Sequence, residues 1–164
     1  MKKIFKRIAV VILAAISICS FAILSACGGS KEDKMADKIT AFYDSVVASQ
    51  KCLDETADDI YSYWYDAIYK DKYLGNINYA IAAALDDNKT NLETIEANEP
   101  IIQSLYKEVR NSELEDEIKD VMSAYSDYYE FVVNVSGSFN SFSASKETLK
   151  KKLASSLKAL QLEI

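Results

Sequence analysis

Residues 114–142 read LEDEIKDVMSAYSDYYEFVVNVSGSFNSF, and the fold class follows from the spacing inside them. Leu114, Ile118, Val121, Tyr125, Tyr128, Val132, Val135, Phe139 and Phe142 recur at intervals of three and four, which places them on one stripe of an α-helix. The phase continues through Lys146, Leu149, Leu153, Ser156 and Leu160, and only the lysine and the serine depart from apolar. Inside this run, residues 136–143 have the composition of a loop, yet Phe139 and Phe142 stay in phase. The pattern therefore predicts one long helix, weakened or kinked near Gly137. The alternative is a true break, with a fourth helix from about Ser145. Ser112 and Glu115 have the S-x-x-E spacing of a capping box, which sets the helix start.

Two further stripes lie upstream. Met35, Ile39, Phe42, Val46, Leu53, Ile60 and Ala67 share one register, with Ser49, Thr56 and Tyr63 in its gaps. They predict a first helix from about Lys34 to Lys72, nearly 60 Å long at about 1.5 Å per residue. Gly75, in Leu74-Gly75-Asn76, is placed for the left-handed residue that ends a helix. The next register runs Ile81, Leu85, Asn88, Leu92, Ile95, Glu99, Ile102, Tyr106, Val109 and passes straight through Pro100. Proline inside a helix costs about 3 kcal/mol, so either the helix kinks there or a new one starts with Asn98 as its N-cap. No stretch alternates at period two for long enough to make a sheet, and no internal repeat suggests a solenoid. The expected fold is all-α: an elongated antiparallel bundle of three long helices, four if residues 136–143 break the last one.

The N-terminus carries a different kind of signal. Lys2, Lys3, Lys6 and Arg7 precede an apolar run from Ile8 to Ala26, and the run closes on Leu24-Ser25-Ala26-Cys27. Basic residues, an apolar segment and small residues make an export signal. The tetrapeptide resembles the lipobox of bacterial lipoproteins. That resemblance implies cleavage before Cys27, with a diacylglyceryl thioether on its sulfur whose glycerol carries acyl chains such as palmitate. The alternative is an uncleaved signal anchor. Each buried lipid methylene contributes about 0.8 kcal/mol, so two or more chains anchor a protein stably. The expected organisation is a signal peptide at 1–26, the lipidated cysteine and a flexible tether at 27–33, and a helical domain at 34–164. The expected place is the extracytoplasmic face of the cell membrane.

Removing residues 1–26 leaves 138 residues with 15 basic and 25 acidic side chains, a net charge of −10. Such a domain is repelled by nucleic acid and by anionic headgroups, so no nucleic-acid partner is expected. Cys52 is then the only ordinary cysteine, and the chain has no histidine, which removes the usual zinc ligand and the commonest general base. Asp86-Asp87-Asn88 opens like a calcium loop but lacks the later glycine and glutamate. No metal or other cofactor is expected. Neighbouring acids on a helix point apart, so pairs such as Asp58-Asp59 read as a solvated face and no catalytic residue is assigned. The lysines of the C-terminal helix, Lys146, Lys150, Lys151, Lys152 and Lys158, fit its dipole and can face the acidic first half of the chain. A basic patch toward the bilayer is the alternative.

Tyr61-Ser62-Tyr63-Trp64-Tyr65 is the densest aromatic stretch. Tyr61, Tyr65, Tyr69 and Tyr73 recur every four residues and predict a ladder on one side of the first helix, with Trp64 beside it. Such rings give rigid amphipathic surface for a protein or glycan partner, or fill wide gaps between helices with their hydroxyls at the rim. Through its lipobox and composition the chain resembles the small helical lipoproteins of Gram-positive bacteria. The expected function is binding, with Tyr61, Trp64, Tyr65, Tyr69 and Tyr73 as the candidate interaction surface and an envelope protein or glycan as partner. The alternatives are a wall enzyme working through carboxylates alone and a structural or assembly subunit of the envelope.

Overall fold

The computed structural model describes residues 31–164, so the signal segment, the lipobox and Cys27 lie outside the described residues. The chain is all-helical there: α1 (Lys31–Tyr69), a tight turn at Lys72–Gly75, α2 (Ile77–Asp87), α3 (Lys89–Val109), α4 (Glu115–Val133) and α5 (Phe139–Gln161). No strand occurs among the described residues, and none of these helices is long and apolar enough to cross a membrane. The three long helices expected from the sequence are thus five.

The first stripe folds as its spacing requires. Ile39, Phe42, Val46, Ser49, Leu53, Thr56, Ile60 and Ala67 are all buried along α1. At 39 residues and about 1.5 Å each, α1 is about 58 Å long. It begins at Lys31, so the last three residues assigned to a flexible tether are helix instead. It also stops at Tyr69, because Asp71 turns left-handed with φ 51° before Gly75 is reached.

The second stripe does break, but not at proline. Pro100 is exposed and α3 runs through it, since a freed carbonyl on that side reaches water. Asn98 is no N-cap; it is buried mid-helix, where its amide donates to Ser49 Oγ at 3.2 Å. The break falls at Asn88, whose backbone N–H closes α2 on the Ala84 carbonyl. Its buried side-chain amide donates to Ala84 O at 3.0 Å and to Asp59 Oδ2 at 2.8 Å. A single satisfied amide therefore pins the joint between α2 and α3 to α1. Leu92, counted in the stripe, is only half-buried, while Ile95 and Ile102 are completely buried.

The third stripe breaks too. Asn134 ends α4, and α5 starts at Phe139 rather than near Ser145. Gly137 makes this turn with φ +90°, and a Cβ there would meet Ser141 Oγ at 2.9 Å. The reciprocal capping box belongs to Ser138 and Ser141. The box expected at Ser112 and Glu115 does not form: Leu114 occupies the N-cap, and the Ser112 hydroxyl is buried without a partner.

Contacts give the helix directions. Lys38–Glu108, Ser49–Asn98 and Asp59–Asn88 run α3 antiparallel to α1. Asp54–Lys150, Asp58–Lys146 and Trp64–Phe142 do the same for α5. Asp127–Lys152 and Phe131–Phe142 pair α4 with α5, again antiparallel. The larger core cluster includes Phe42, Ile102, Val121 and Leu153, and a smaller one gathers Ile60, Trp64, Ala84 and Phe142 toward the end of α1. Each fully buried Leu, Ile or Phe contributes about 1.5–3 kcal/mol.

Candidate functional site

The ladder is real over three of its four rungs. Tyr61 stacks on Tyr65 at 6.3 Å, and Tyr65 packs on Tyr69 at 4.7 Å between ring centroids. All three rings close on Phe139 of α5, at 5.1, 6.2 and 6.1 Å. Tyr73 leaves the ladder because α1 has ended; it stacks on Tyr63 at 5.2 Å and meets Tyr79 at 6.0 Å. The Tyr63 hydroxyl donates to Asp87, and this bond to a carboxylate, with burial, holds its phenol far above the usual range. Trp64 is not surface: it is 4% exposed, wedged against Phe139 and Phe142. Its indole Nε1–H is buried with no hydrogen-bond partner.

Beyond Tyr69 the chain reverses under tension. Asp71, Tyr73 and Leu74 have φ values of 51°, 56° and 56°, a region that costs an L-residue about 1–2 kcal/mol. Neighbouring contacts hold them there. Lys70 and Lys72 both bind Asp66, at 2.8 and 2.7 Å, and hold its carboxyl below the usual range. On the far side Asn76 N-caps α2 by accepting from the Tyr79 N–H at 3.1 Å. The result is to thrust Leu74 into solvent at 94% exposure. Strained, over-determined turns cluster at functional sites, which makes this turn the candidate element.

Leu74 overhangs an open cleft of about 880 Å³ between this turn and residues 135–139. Trp64 and Ile68 of α1, Ile77 of α2, Val135 and Phe139 supply its apolar surface; Asn76, Asn78, Ser136 and Ser138 supply its polar groups. No lining residue carries a charge. Ile68, Tyr69, Ile77 and Tyr79 remain more than a third exposed around it, so several bulky apolar side chains crowd this one end of the molecule. The sequence shows the aromatic ladder but gives no signal for the cleft, which is made by two turns far apart in the chain. Relief of the strain is testable. Leu74→Gly should raise the melting temperature by a few degrees, up to about 1 kcal/mol, because φ near 56° suits glycine and almost no burial is lost.

A second cluster lies at the seam of α1 and α5. The Lys146 side chain is 9% exposed and binds Asp58 Oδ1 at 2.5 Å, with Glu147 at 3.5 Å and the Tyr61 ring at 4.7 Å. Lys150 bridges Asp58 at 3.3 Å and Asp54 at 3.5 Å, and the Tyr128 hydroxyl donates to Asp54 at 2.9 Å. The expectation that the C-terminal lysines meet the acidic half of the chain holds for Lys146 and Lys150. A third cluster sits mid-molecule, where Ser49, Asn98 and Tyr125 are buried together. The Tyr125 hydroxyl and Glu99 Oε2 face each other without a well-formed hydrogen bond, and burial, then the Glu99 carboxylate, pushes the phenol well above its ordinary range. Cys52 is half-buried and its thiol is pushed up by burial, which leaves little thiolate. Among the described residues no three Cys, Asp or Glu side chains gather as a metal-ligand set.

Compared with known proteins, the chain gives no match to a family model, to a curated protein or to a solved structure, so its site stands on its own geometry.

Proposed function

We propose that this chain is an extracytoplasmic lipoprotein, held on the cell membrane by lipid on Cys27, whose helical domain binds a partner at the end of α1. The reading of the arrangement is an elongated up–down–up–down bundle, with α2 and α3 together as its second layer. The observation that carries the functional reading is the exposure of Leu74, at 94%, on a strained turn over an uncharged cleft. Only residues 28–30 stand between Cys27 and the first residue of α1. With the anchor there, the helix itself is the stalk, and it carries the cleft about 58 Å from its own start. Binding is favoured over catalysis because Asp54, Asp58 and Asp66 of α1 are engaged by Lys146, Lys150, Tyr128, Lys70 and Lys72.

Two measurements test this reading. Cys27→Ala should accumulate as an uncleaved precursor without lipid; a variant that matures to the same length and stays on the membrane defeats the lipoprotein assignment. A photoactivatable side chain at Tyr69 in the intact envelope should give discrete adducts, whereas the same group at the exposed Ala154 of α5 should give none. Equal labelling from both positions, or none from Tyr69, defeats the binding end.

A further inference from the structure

We infer that the cleft under Leu74 takes an apolar peptide segment flanked by basic residues, displayed by a partner protein. This rests on the reading of the α1 end as the binding end. The lining contains no charged side chain, so whatever enters is uncharged there, and Trp64, Ile68, Ile77 and Phe139 offer it bulky apolar surface. A volume of about 880 Å³ accepts a few large side chains rather than a whole domain.

The rim supplies the charge preference. Asp71 brings its carboxylate to 3.8 Å of the position a Gly75 Cβ would take, at the lip of the cleft. Asp86 and Asp87 lie at the other end of α2, below the rim, where Asp87 is hydrogen-bonded to Tyr63, whose ring stacks on Tyr73. None of the three has a cation within ion-pair distance among the described residues, whereas Lys70 and Lys72 at the same turn are already engaged by Asp66. With a net charge of −10 behind it, this rim attracts lysine and arginine and repels acidic ligands.

Two other occupants fail on reach and charge. The chain's own lipid would have to cover about 58 Å. Three residues span at most about 10 Å, and an acyl chain the depth of one leaflet adds about 15 Å. A second copy would bring the same acidic rim and the same net charge against this one. Backbone amides of an inserted peptide would meet Asn78 and Ser136, the polar groups on opposite lips of the cleft.

The test uses the full lipidated chain in phosphatidylcholine vesicles and reads the emission of Trp64, the single tryptophan. The probe is an end-capped peptide with the core Leu-Phe-Leu-Leu and two lysines on each side. It should shift the emission saturably. Replacing its lysines by glutamates should weaken binding at least about tenfold, and so should Leu74→Ser in the protein, since a buried leucine is worth about a tenfold to hundredfold change. Leu74→Ser should not lower the melting temperature, because that side chain is 94% exposed. Val47→Ser, at an exposed apolar residue far along α1, should change nothing.

Equal binding of the glutamate-flanked peptide, or of one with a serine core, would overturn the inference. So would saturation by a tetramer of N-acetylglucosamine with no response to the peptides, or a loss of the signal when protein-free vesicles are added in excess. If Tyr69 still gives discrete adducts in the envelope while every peptide fails, the inference is wrong and the binding end survives. If both fail, both are wrong.

Discussion

Phe142→Ala is expected to lose about 3–5 kcal/mol of stability, the range for deleting a buried aromatic ring. The side chain is 1% exposed and lies at 4.7 Å from the Phe131 ring and 5.5 Å from Trp64. It joins α4, α5 and α1 just beneath the cleft, where no other residue of α5 is fully buried until Leu153. Total stabilities of such domains are about 5–15 kcal/mol, so this one substitution should remove a large fraction. Thermal unfolding should shift down by about 10 °C or more, and the Trp64 emission should move to longer wavelength as water reaches the indole. Phe139→Ala, on a half-buried ring that closes the tyrosine ladder, should cost less but loosen the same emission. Should Phe142→Ala change stability by only a few tenths of a kcal/mol, the small core cluster does not hold α5 to α1.

Asp58→Ala is expected to cost about 2–3 kcal/mol, because it strands an ammonium group. Lys146 is 9% exposed on its side chain while Asp58 is 49% exposed, so the two partners are not equivalent. Without Asp58 the lysine keeps Glu147 at 3.5 Å and the Tyr61 ring, which offset part of the loss. Lys146→Met should be far milder: the stem stays packed, and Asp58 keeps Lys150 and water. The double substitution should then recover most of the stability, and a chemical-denaturation cycle would measure the coupling. Simple additivity would mean the pair is a surface contact of no consequence.

The same seam sets the response to acid. Burial raises the Asp58 carboxyl, but the hydrogen bond and charge of Lys146, with Lys150 behind them, outweigh it and hold the group low. Its contribution is therefore complete above the unfolded value, about 3.9, and is lost as pH falls through the lower folded one. Asp54 has the opposite sign: burial raises it more than Tyr128 and Lys150 lower it. Its deprotonation weakens the folded state near neutrality, and that penalty lifts as pH falls through its raised value. Urea unfolding should show stability flat or rising on mild acidification, then falling below about pH 4. Asp54→Asn should abolish the first phase and leave the second. A profile that declines monotonically from pH 7 would refute this account.

The helical class was legible because its cause is periodic: buried Ile39, Phe42, Val46 and Leu53 sit where a 3.6-residue stripe requires. The break at Asn88 was not legible, because it preserves the stripe. Asn88 ends one helix and opens the next without shifting phase, so the register runs across it unbroken. Phe139 and Phe142 likewise stay in phase with α4 although they belong to a helix running back down the molecule. The serines and glycine of residues 136–143 carried the correct signal, and their composition outweighs phase when φ must reach +90°. Ser112 and Glu115 had the right spacing for a cap, yet Leu114, which packs on the core, took the N-cap position. At the candidate site the tyrosines were visible as a ladder, but Trp64, placed with them on the expected surface, is buried at 4% exposure because it turns toward Phe139 and Phe142 of α5. Nothing local announces that Tyr73 and Leu74 turn left-handed; Asp66, by holding Lys72, and the Tyr63 ring impose it from α1.

The continuity of α1 has a mechanical consequence. A lipid at its beginning would grip the same helix of 39 residues whose Trp64 and Ile68 line one wall of the cleft at its end. Tension between membrane and partner then runs lengthwise through one column of backbone hydrogen bonds. The interfaces with α3, α4 and α5 lie beside that line of force and carry little of it. Only the share of a partner's grip taken by Val135 and Phe139 would pass sideways, through the contact of α5 with α1.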